Sequence, residues 1–357
     1  MNGLEPTPTL RDLAAKLRVS VSTVSLALRN DQRVAKGTRE RVIAAAGREG
    51  YHLNPAVAAL MAQVRCSRRV AYRETIGWLN LWDHPDTYTK QGVEFQRFLW
   101  SGARDRAHQL GYALDSFWLA EPGMTARRMT SILSSRGIRG ILIPPLPSSS
   151  DNLQLDWDRF TAVTLSYTLD RPKMDRVIPD HFGNMVTILR RLARLGYRRP
   201  GLLIPRGHDE RGGHRLVAAY TFAQNALAED DRVPVQVCHP SIVEREVVIW
   251  LKKHRPDAVI TLGKLKHLKT MTGIGRAYLD RLGLVLMSLA GSDAGISGIN
   301  ENPAIIGAAG VEQLVLSLQR NEHGLPEHPR LIQIEGTWCD GQTTPVPRVV
   351  AGQSRGS

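Results

Sequence analysis

The chain has 357 residues, 42% of them hydrophobic, and 47 Lys and Arg against 34 Asp and Glu leave a formal charge of +13. That length is enough for more than one compact unit, while the three cysteines, Cys66, Cys238 and Cys339, are too isolated for a zinc cluster or a disulfide framework. No apolar run approaches the ~18 residues of a membrane-spanning helix, and no Gly-x-Ser-x-Gly elbow, phosphate-cradling Gly-Lys-Ser/Thr loop or His-Glu-x-x-His pair occurs. The expectation is a cytoplasmic, non-enzymatic protein that uses no cofactor or metal.

Residues 1–8, with two prolines, read as an unstructured tail. Leu10, Leu13, Ala14 and Leu17 then recur at helical spacing, with Arg11, Asp12, Ala15 and Lys16 on the opposite side, so one face is built for burial. After the turn Arg18-Val19-Ser20, Ser20 is placed to cap a second helix from Val21 to about Leu28. Val24 and Leu28 point inward, and Val21, Ser22, Ser25 and Leu26 face out. Two readings fit: a three-helix bundle whose exposed hydroxyls are merely solvated, or a recognition helix presenting short side chains to a major groove. Charge favours the second. The first 69 residues carry twelve Lys and Arg against five Asp and Glu, more than half of the chain's positive excess, and clustered cations release counterions from phosphates.

Several spaced motifs agree in order and distance: Thr9-Leu10-Arg11-Asp12-Leu13-Ala14, Val19-Ser20-Val21-Ser22-Thr23-Val24-Ser25, Val34, Thr38-Arg39-Glu40-Arg41-Val42 and Gly50-Tyr51. Together they resemble the N-terminal domain of LacI/GalR-type repressors. The resemblance implies a homodimer on double-stranded operator DNA, with Val21, Ser22 and Leu26 at base-reading positions and Thr23 and Ser25 near phosphates. Thr9, Ser20, Arg29, Thr38, Asn54 and Val57 complete the implied DNA-facing set. Departures matter as well. Leu26 stands where the family commonly has Arg, and Leu can pack on a thymine methyl but cannot form the bidentate contact to guanine. Arg18 replaces the usual turn glycine, and Ala35 replaces the Ser that usually caps the third helix.

The segment Asn54-Pro55-Ala56-Val57-Ala58-Ala59-Leu60-Met61 matches the family's hinge helix, two copies of which lie in the minor groove. Leu60 is the implied wedge, which would trade unstacking energy for contact with bent DNA. The alternative is that Val57, Leu60 and Met61 pack a linker onto the body. Arg65, Arg68 and Arg69 follow as a basic linker.

From Ala71 onward strand and helix alternate: strand 75–81, helix 95–110, strand 112–118, helix 125–134, strand 140–144 and strand 160–166. A second series follows, with helix 184–195, strand 201–205, helices 215–228 and 243–254, strands 258–262 and 284–289, helix 308–319 and strand 331–334. Such alternation implies parallel sheets covered by helices, in two lobes. The motifs Leu110-Gly111-Tyr112, Arg139-Gly140-Ile141-Leu142-Ile143, Asp180-His181-Phe182, Leu195-Gly196-Tyr197-Arg198-Arg199 and Arg255-Pro256-Asp257-Ala258 resemble the family's effector domain, itself similar to periplasmic sugar-binding proteins. The expected organisation is an all-α head at 1–53, a hinge helix and linker at 54–70, a two-lobe α/β effector and dimerisation domain at 71–340, and a tail at 341–357.

Open parallel sheets bind ligands at the carboxyl ends of their strands, so the effector, a sugar or related metabolite by resemblance, is expected between the lobes. The family places an Arg before an aromatic-containing helix of the second lobe; Arg215, five residues before Tyr220, is the nearest match and Arg211 its rival. Trp78, Trp82, Trp118, Tyr88 and Phe95 are candidates for a stacking platform or for core, with Trp82 and Tyr88 taken as effector contacts. Asp180 joins them, the pair Asp180-His181 reading as an inter-lobe loop or a catalytic pair. The run Lys264-Leu265-Lys266-His267 suits an anionic ligand or a solvated surface. The competing class is a small-molecule-binding protein or enzyme whose helical head contacts other proteins.

Overall fold

The computed structural model describes residues 10–28, 31–49, 74–91, 94–147, 153–238, 243–262, 268, 271–289 and 295–345. Three helices form the head: α1 (Leu10–Leu17), α2 (Val21–Leu28) and α3 (Lys36–Arg48). Their shared core consists of Leu13, Ala14, Val24, Ala27, Val34, Val42, Ala45 and Ala46, with Leu10, Leu17, Val19, Leu26 and Leu28 packed around it. Four of the eight core side chains are alanines, which add little buried area but let the helix axes come close. The α1–α2 turn passes through Arg18 at φ 52°, a left-handed conformation that disfavours any residue with a Cβ. Ala35 precedes α3 without a side-chain cap.

The body holds two six-stranded sheets. The first lobe contains β1 (Glu74–Asn80), α4 (Glu94–Gln109), β2 (Tyr112–Trp118), α5 (Ala126–Ser135), β3 (Gly140–Ile143), β4 (Thr161–Thr164) and β5 (Asp175–Pro179). The chain then crosses to the second lobe for α6 (His181–Arg194), β6 (Pro200–Pro205), α7 (Arg206–Arg211), α8 (Arg215–Gln224), β7 (Gln236–Cys238), α9 (Val243–His254), β8 (Ala258–Thr261), α10 (Arg276–Arg281), β9 (Gly283–Leu286) and β10 (Ser297–Asn300). It returns for α11 (Pro303–Gln319) and β11 (Leu331–Ile334), and crosses a third time into β12 (Thr337–Cys339). Strand orders are β11-β5-β4-β3-β1-β2 and β12-β10-β9-β8-β6-β7. Within these sheets only the β10–β12 pair is antiparallel.

Central strands such as Gly140–Ile143 and Ala258–Thr261 are buried at every residue, as two helix-covered faces require. The expected alternation is present, with differences at its edges. Strands β5, β7, β10 and β12 and helices α7 and α10 have no counterpart among the expected elements. β5 begins on the charged pair Asp175-Arg176, and β10, Ser297-Gly298-Ile299-Asn300, has a single large apolar residue. Such strands are specified by their neighbours rather than by their own propensity. Helix α11 starts at Pro303, five residues before its expected start, since proline at the first turn needs no hydrogen-bonded N–H. Helix α8 ends at Gln224 rather than Ala228.

Helices α4 and α11 touch backbone to backbone. A Cβ on Gly102 would lie 2.0 Å from the Ala304 carbonyl oxygen, and one on Gly307 2.1 Å from that of Leu99. The three crossings between lobes are stitched together: Asp180 N donates to Ile334 O at 2.9 Å, Asn302 Nδ2 to Glu335 O at 2.9 Å, and Gly336 N to Asn184 Oδ1 at 2.9 Å. Past the expected boundary at 340, Thr343 remains in the second lobe, its carbonyl accepting from Leu284 N at 2.7 Å.

Candidate functional site

In the head, Ser20 Oγ accepts from Thr23 N at 3.0 Å and lies 2.7 Å from Ser22 Oγ and 2.8 Å from Thr23 Oγ1. The first turn of α2 is therefore capped from within. Val24 and Ala27 are fully buried, which fixes the rotation of α2 and turns Val21 and Ser22 to solvent with Leu26 half-buried beside them. Arg39 donates to Val34 O at 2.6 Å and pins the loop before α3, where Arg33 and Asp31 pair at 2.7 Å. Lys16 pairs with Glu49, tying α1 to the end of α3. Arg18, Lys36, Arg41 and Arg48 stay exposed and form no ion pair among the described residues. The result is a helix face of short neutral side chains rimmed by unneutralised cations. Thr38 is half-buried in the first turn of α3, its N–H bonded to Ala35 O. Thr9, Arg29, Asn54, Val57, Leu60 and the whole hinge segment lie outside the described residues, as does the side chain of Ser25.

The second constellation lies between the lobes, at the carboxyl ends of β1, β3, β4 and β6. Buried Asn80 donates to the carbonyls of His84 and Pro85 and accepts from Trp82 N at 2.9 Å, which shapes the loop after β1. Trp82 Nε1 donates to Pro145 O at 2.8 Å and lies 2.9 Å from Tyr88 Oη, while Trp118 Nε1 donates to Trp82 O at 2.8 Å. The indole is thus locked by its polar edge. From the second lobe, the Arg211 guanidinium sits 5.8 Å from the Trp82 ring centroid. Arg215, at the start of α8, stacks 3.5 Å from the centre of Tyr167, and Arg176 of β5 lies 5.1 Å from the same ring. Arg211 and Arg215 therefore each face an aromatic ring of the first lobe, Trp82 and Tyr167 respectively.

Burial dominates the electrostatics of this cleft. Burial lowers the pKa of Arg211, against which the neighbouring Tyr88 acts weakly. Burial also lowers that of Arg176; Tyr167 opposes it, the charge of Arg215 adds to it, and Asp170 opposes it. Burial, and then the nearby Arg211 charge, lowers His208. The Nε of Arg211 is buried without a hydrogen-bond partner among the described residues.

Other expected contacts fall elsewhere. Tyr88 is 2% exposed, edge-on to Trp78 at 5.1 Å, and donates to Pro145 O; burial pushes its phenol pKa up. It supports Trp82 from beneath and offers no free face. Trp78 is fully buried core, and Phe95 packs against the same core. The Asp180 carboxylate caps α6 by accepting from Gly183 N at 2.9 Å, a structural role in keeping with an inter-lobe loop. Tyr220 is buried and donates to Pro200 and Val233 carbonyls, so the aromatic used to align Arg215 is core. Lys264, Lys266 and His267 lie outside the described residues. Tyr167 and Arg176 were missed: Tyr167 follows a strand end, as Trp82 does, but Arg176 sits in a strand the sequence does not announce. Cys238 and Cys339 are free thiols, and no metal-holding group of His, Cys, Asp or Glu occurs among the described residues. No helix there is long and apolar enough to cross a membrane.

Residues 9–54 match the family model described as bacterial regulatory proteins, lacI family. No curated protein matches the chain. Among solved structures, a complex of the transcriptional regulator CelR with cellobiose is 18% identical, with a TM-score of 0.58 over 94% of this chain and 99% of that one. The lac repressor dimer bound to operator and the anti-inducer ONPF is 17% identical, with a TM-score of 0.54 over the same shares. A LacI transcriptional regulator from a Rhodococcus species is 14% identical, with a TM-score of 0.56 over 76% of this chain and 99% of that one. At these identities the likeness concerns fold: a three-helix head joined to two parallel-sheet lobes.

Proposed function

We propose that this chain is a sequence-specific DNA-binding transcriptional regulator, a repressor that binds operator DNA as a homodimer and is controlled by a small-molecule effector of the sugar class. The observation that carries this reading is the union, in one chain, of a lacI-family head and a two-lobe body with an arginine-aromatic cleft. The names of its structural neighbours, one in complex with cellobiose and one a dimer on operator DNA, support it. The role is regulatory rather than catalytic, and its place is the cytoplasm, on the nucleoid.

On DNA, α2 enters the major groove with Val21, Ser22 and Leu26 toward base edges and Ser20, Thr23, Ser25 and Thr38 toward the backbone. Thr9, Arg29 and Asn54 add backbone contacts, and Val57 and Leu60 reach the minor groove from a hinge helix between about 54 and 70. Leu26 directs preference toward a thymine methyl rather than guanine. Effector bound among Trp82, Arg211 and Arg215, above Tyr88 and the Asp180 crossing, closes the lobes about their three crossings and shifts the first lobes across the dimer. An effector that binds both states equally would shift nothing, so the open and closed clefts must differ in affinity.

The test is fluorescence anisotropy of the full chain against its own genomic fragments selected by pull-down. A footprint with two half-sites and an affinity falling steeply with salt is expected; absent or salt-independent binding would sink the reading. Leu60→Ala is expected to abolish DNA bending, and bending that survives it intact removes the wedge.

A further inference from the structure

We propose that the ligand of the inter-lobe cleft is an anionic carbohydrate, a sugar bearing a phosphate or carboxylate group, with the oxyanion held by Arg176, Arg211 and Arg215. The inference rests on the effector-cleft reading and narrows its ligand class.

Three guanidiniums line this cleft, Arg176 and Arg215 at Tyr167 and Arg211 at Trp82, and none has a carboxylate within 4.0 Å among the described residues. The neighbouring acids are already engaged: Asp170, whose charge acts on Arg176, pairs with Lys173 at 2.6 Å. Asp180 caps α6, Asp209 accepts from Val217 N and faces His214 at 2.7 Å, and Glu301 lies 3.4 Å from His181. Arg176 and Arg215 flank one ring, Tyr167, although like charges this close repel. The ring faces offset part of that cost by cation–π attraction, but they leave the N–H forks unfilled. Arg176 directs one N–H to Leu169 O at 2.8 Å, and Arg215 reaches the Gly212 and Gly213 carbonyls only at 3.4 and 3.3 Å. Arg211 Nε has no partner at all among the described residues although it is buried.

A buried, unpaired N–H on the half-buried Arg211 is costly to maintain unless a ligand completes it. Planar guanidinium forks match the bidentate geometry of phosphate and carboxylate oxygens. A neutral sugar would leave the charge uncompensated. The position of Arg215 is prepared by its neighbours: a Cβ on Gly213, at φ 61°, would lie 2.3 Å from Arg215 Nη1, so glycine leaves the space into which the guanidinium folds. Trp82, locked by Pro145 and Trp118, supplies a flat wall beside Arg211 for the hydroxylated ring.

The test is isothermal titration and thermal shift of the full chain with hexose 6-phosphates, pentose 5-phosphates and hexuronates, each beside its neutral parent sugar, and with inorganic phosphate. At least one anionic sugar is expected to bind at least about tenfold more tightly than its parent and to raise Tm accordingly, and the phosphate and uronate arms tell the two anion sources apart. Arg215→Gln and, separately, Arg211→Gln are expected to weaken that ligand about tenfold or more and its neutral parent by less, so that the preference for the anionic form shrinks. Neutral sugars that bind as well as their anionic forms, no response to any anionic sugar, or two folded variants with undiminished affinity would each overturn the assignment. A neutral sugar that releases operator DNA would overturn it while leaving the regulator reading intact. An anionic sugar that binds without altering DNA affinity would do the reverse.

Discussion

The head and the lobes hold their recognition surfaces in opposite ways. The head rests on eight small or medium buried side chains contributed by fewer than forty residues, and its exposed α2 face is kept in place by a serine cap and the burial of two side chains. In the lobes, each sheet is sealed by helices, and the cleft groups ride on loops anchored by buried Asn80, Pro145 and the three crossings. A small core gives the head little margin, whereas the larger lobes bury charged Asp175, Asp209 and Glu301, each with a partner. The surface proposed to find DNA rests on a small core, and the cleft proposed to sense a ligand is set in a stiff frame.

Leu13→Ala breaks the comparison most severely. Removing a fully buried leucine costs about 2–5 kcal/mol, comparable with all that such a head has to spare, so DNA affinity is expected to fall more than about a hundredfold while the main calorimetric transition of the lobes stays put. Coincident loss of both transitions would show that the two regions are one cooperative unit. Trp82→Ala tests the other side. It removes the wall beside Arg211, and ligand release of DNA is expected to require at least about tenfold more ligand, with unliganded DNA affinity unchanged in the same titration.

Gly183→Ala acts on the crossing itself. A Cβ there would lie 2.2 Å from Asp180 Oδ2, displacing the cap of α6, and a loss of ~1–2 kcal/mol from the lobes' transition in urea unfolding is expected. The smallest effects return to the head. Ala35→Ser supplies the missing cap of α3 and Arg18→Gly relieves a left-handed Cβ; each is expected to stabilise the head by about 1 kcal/mol, read from proteolysis of the head in the full chain. Arg18→Gly also removes a cation, so it alone is expected to shallow the salt dependence of DNA binding.

The same contrast governs what could be read from sequence. Every determinant of the head is local: the spacing of Leu13, Val24 and Val42, the cap at Ser20, and the anomalies at Arg18 and Ala35 all have direct counterparts in its geometry. The lobes were legible as rhythm, because buried parallel strands such as Ile141-Leu142-Ile143 announce themselves. β5 and β10 were not, since they are strands only by virtue of their partners. The cleft was half legible. Trp82 follows from a strand end and Arg211 and Arg215 from the family resemblance, but the meeting of Tyr167 with Arg176 and Arg215 joins segments almost fifty residues apart, and nothing local signals that Tyr88 is buried behind Trp82.

The return of the chain to its first lobe has a consequence for synthesis. Helix α11 covers the first sheet and meets α4 through Gly102 and Gly307, and β11 forms that sheet's edge. Until residues beyond 303 leave the ribosome, the first lobe therefore has one bare apolar face and a missing edge, although its other strands were made more than a hundred residues earlier. The head, complete by residue 49, suffers no such delay and can fold as soon as it emerges. A nascent chain would thus carry a finished DNA reader while both halves of its ligand sensor were still waiting for the last sixty residues to arrive.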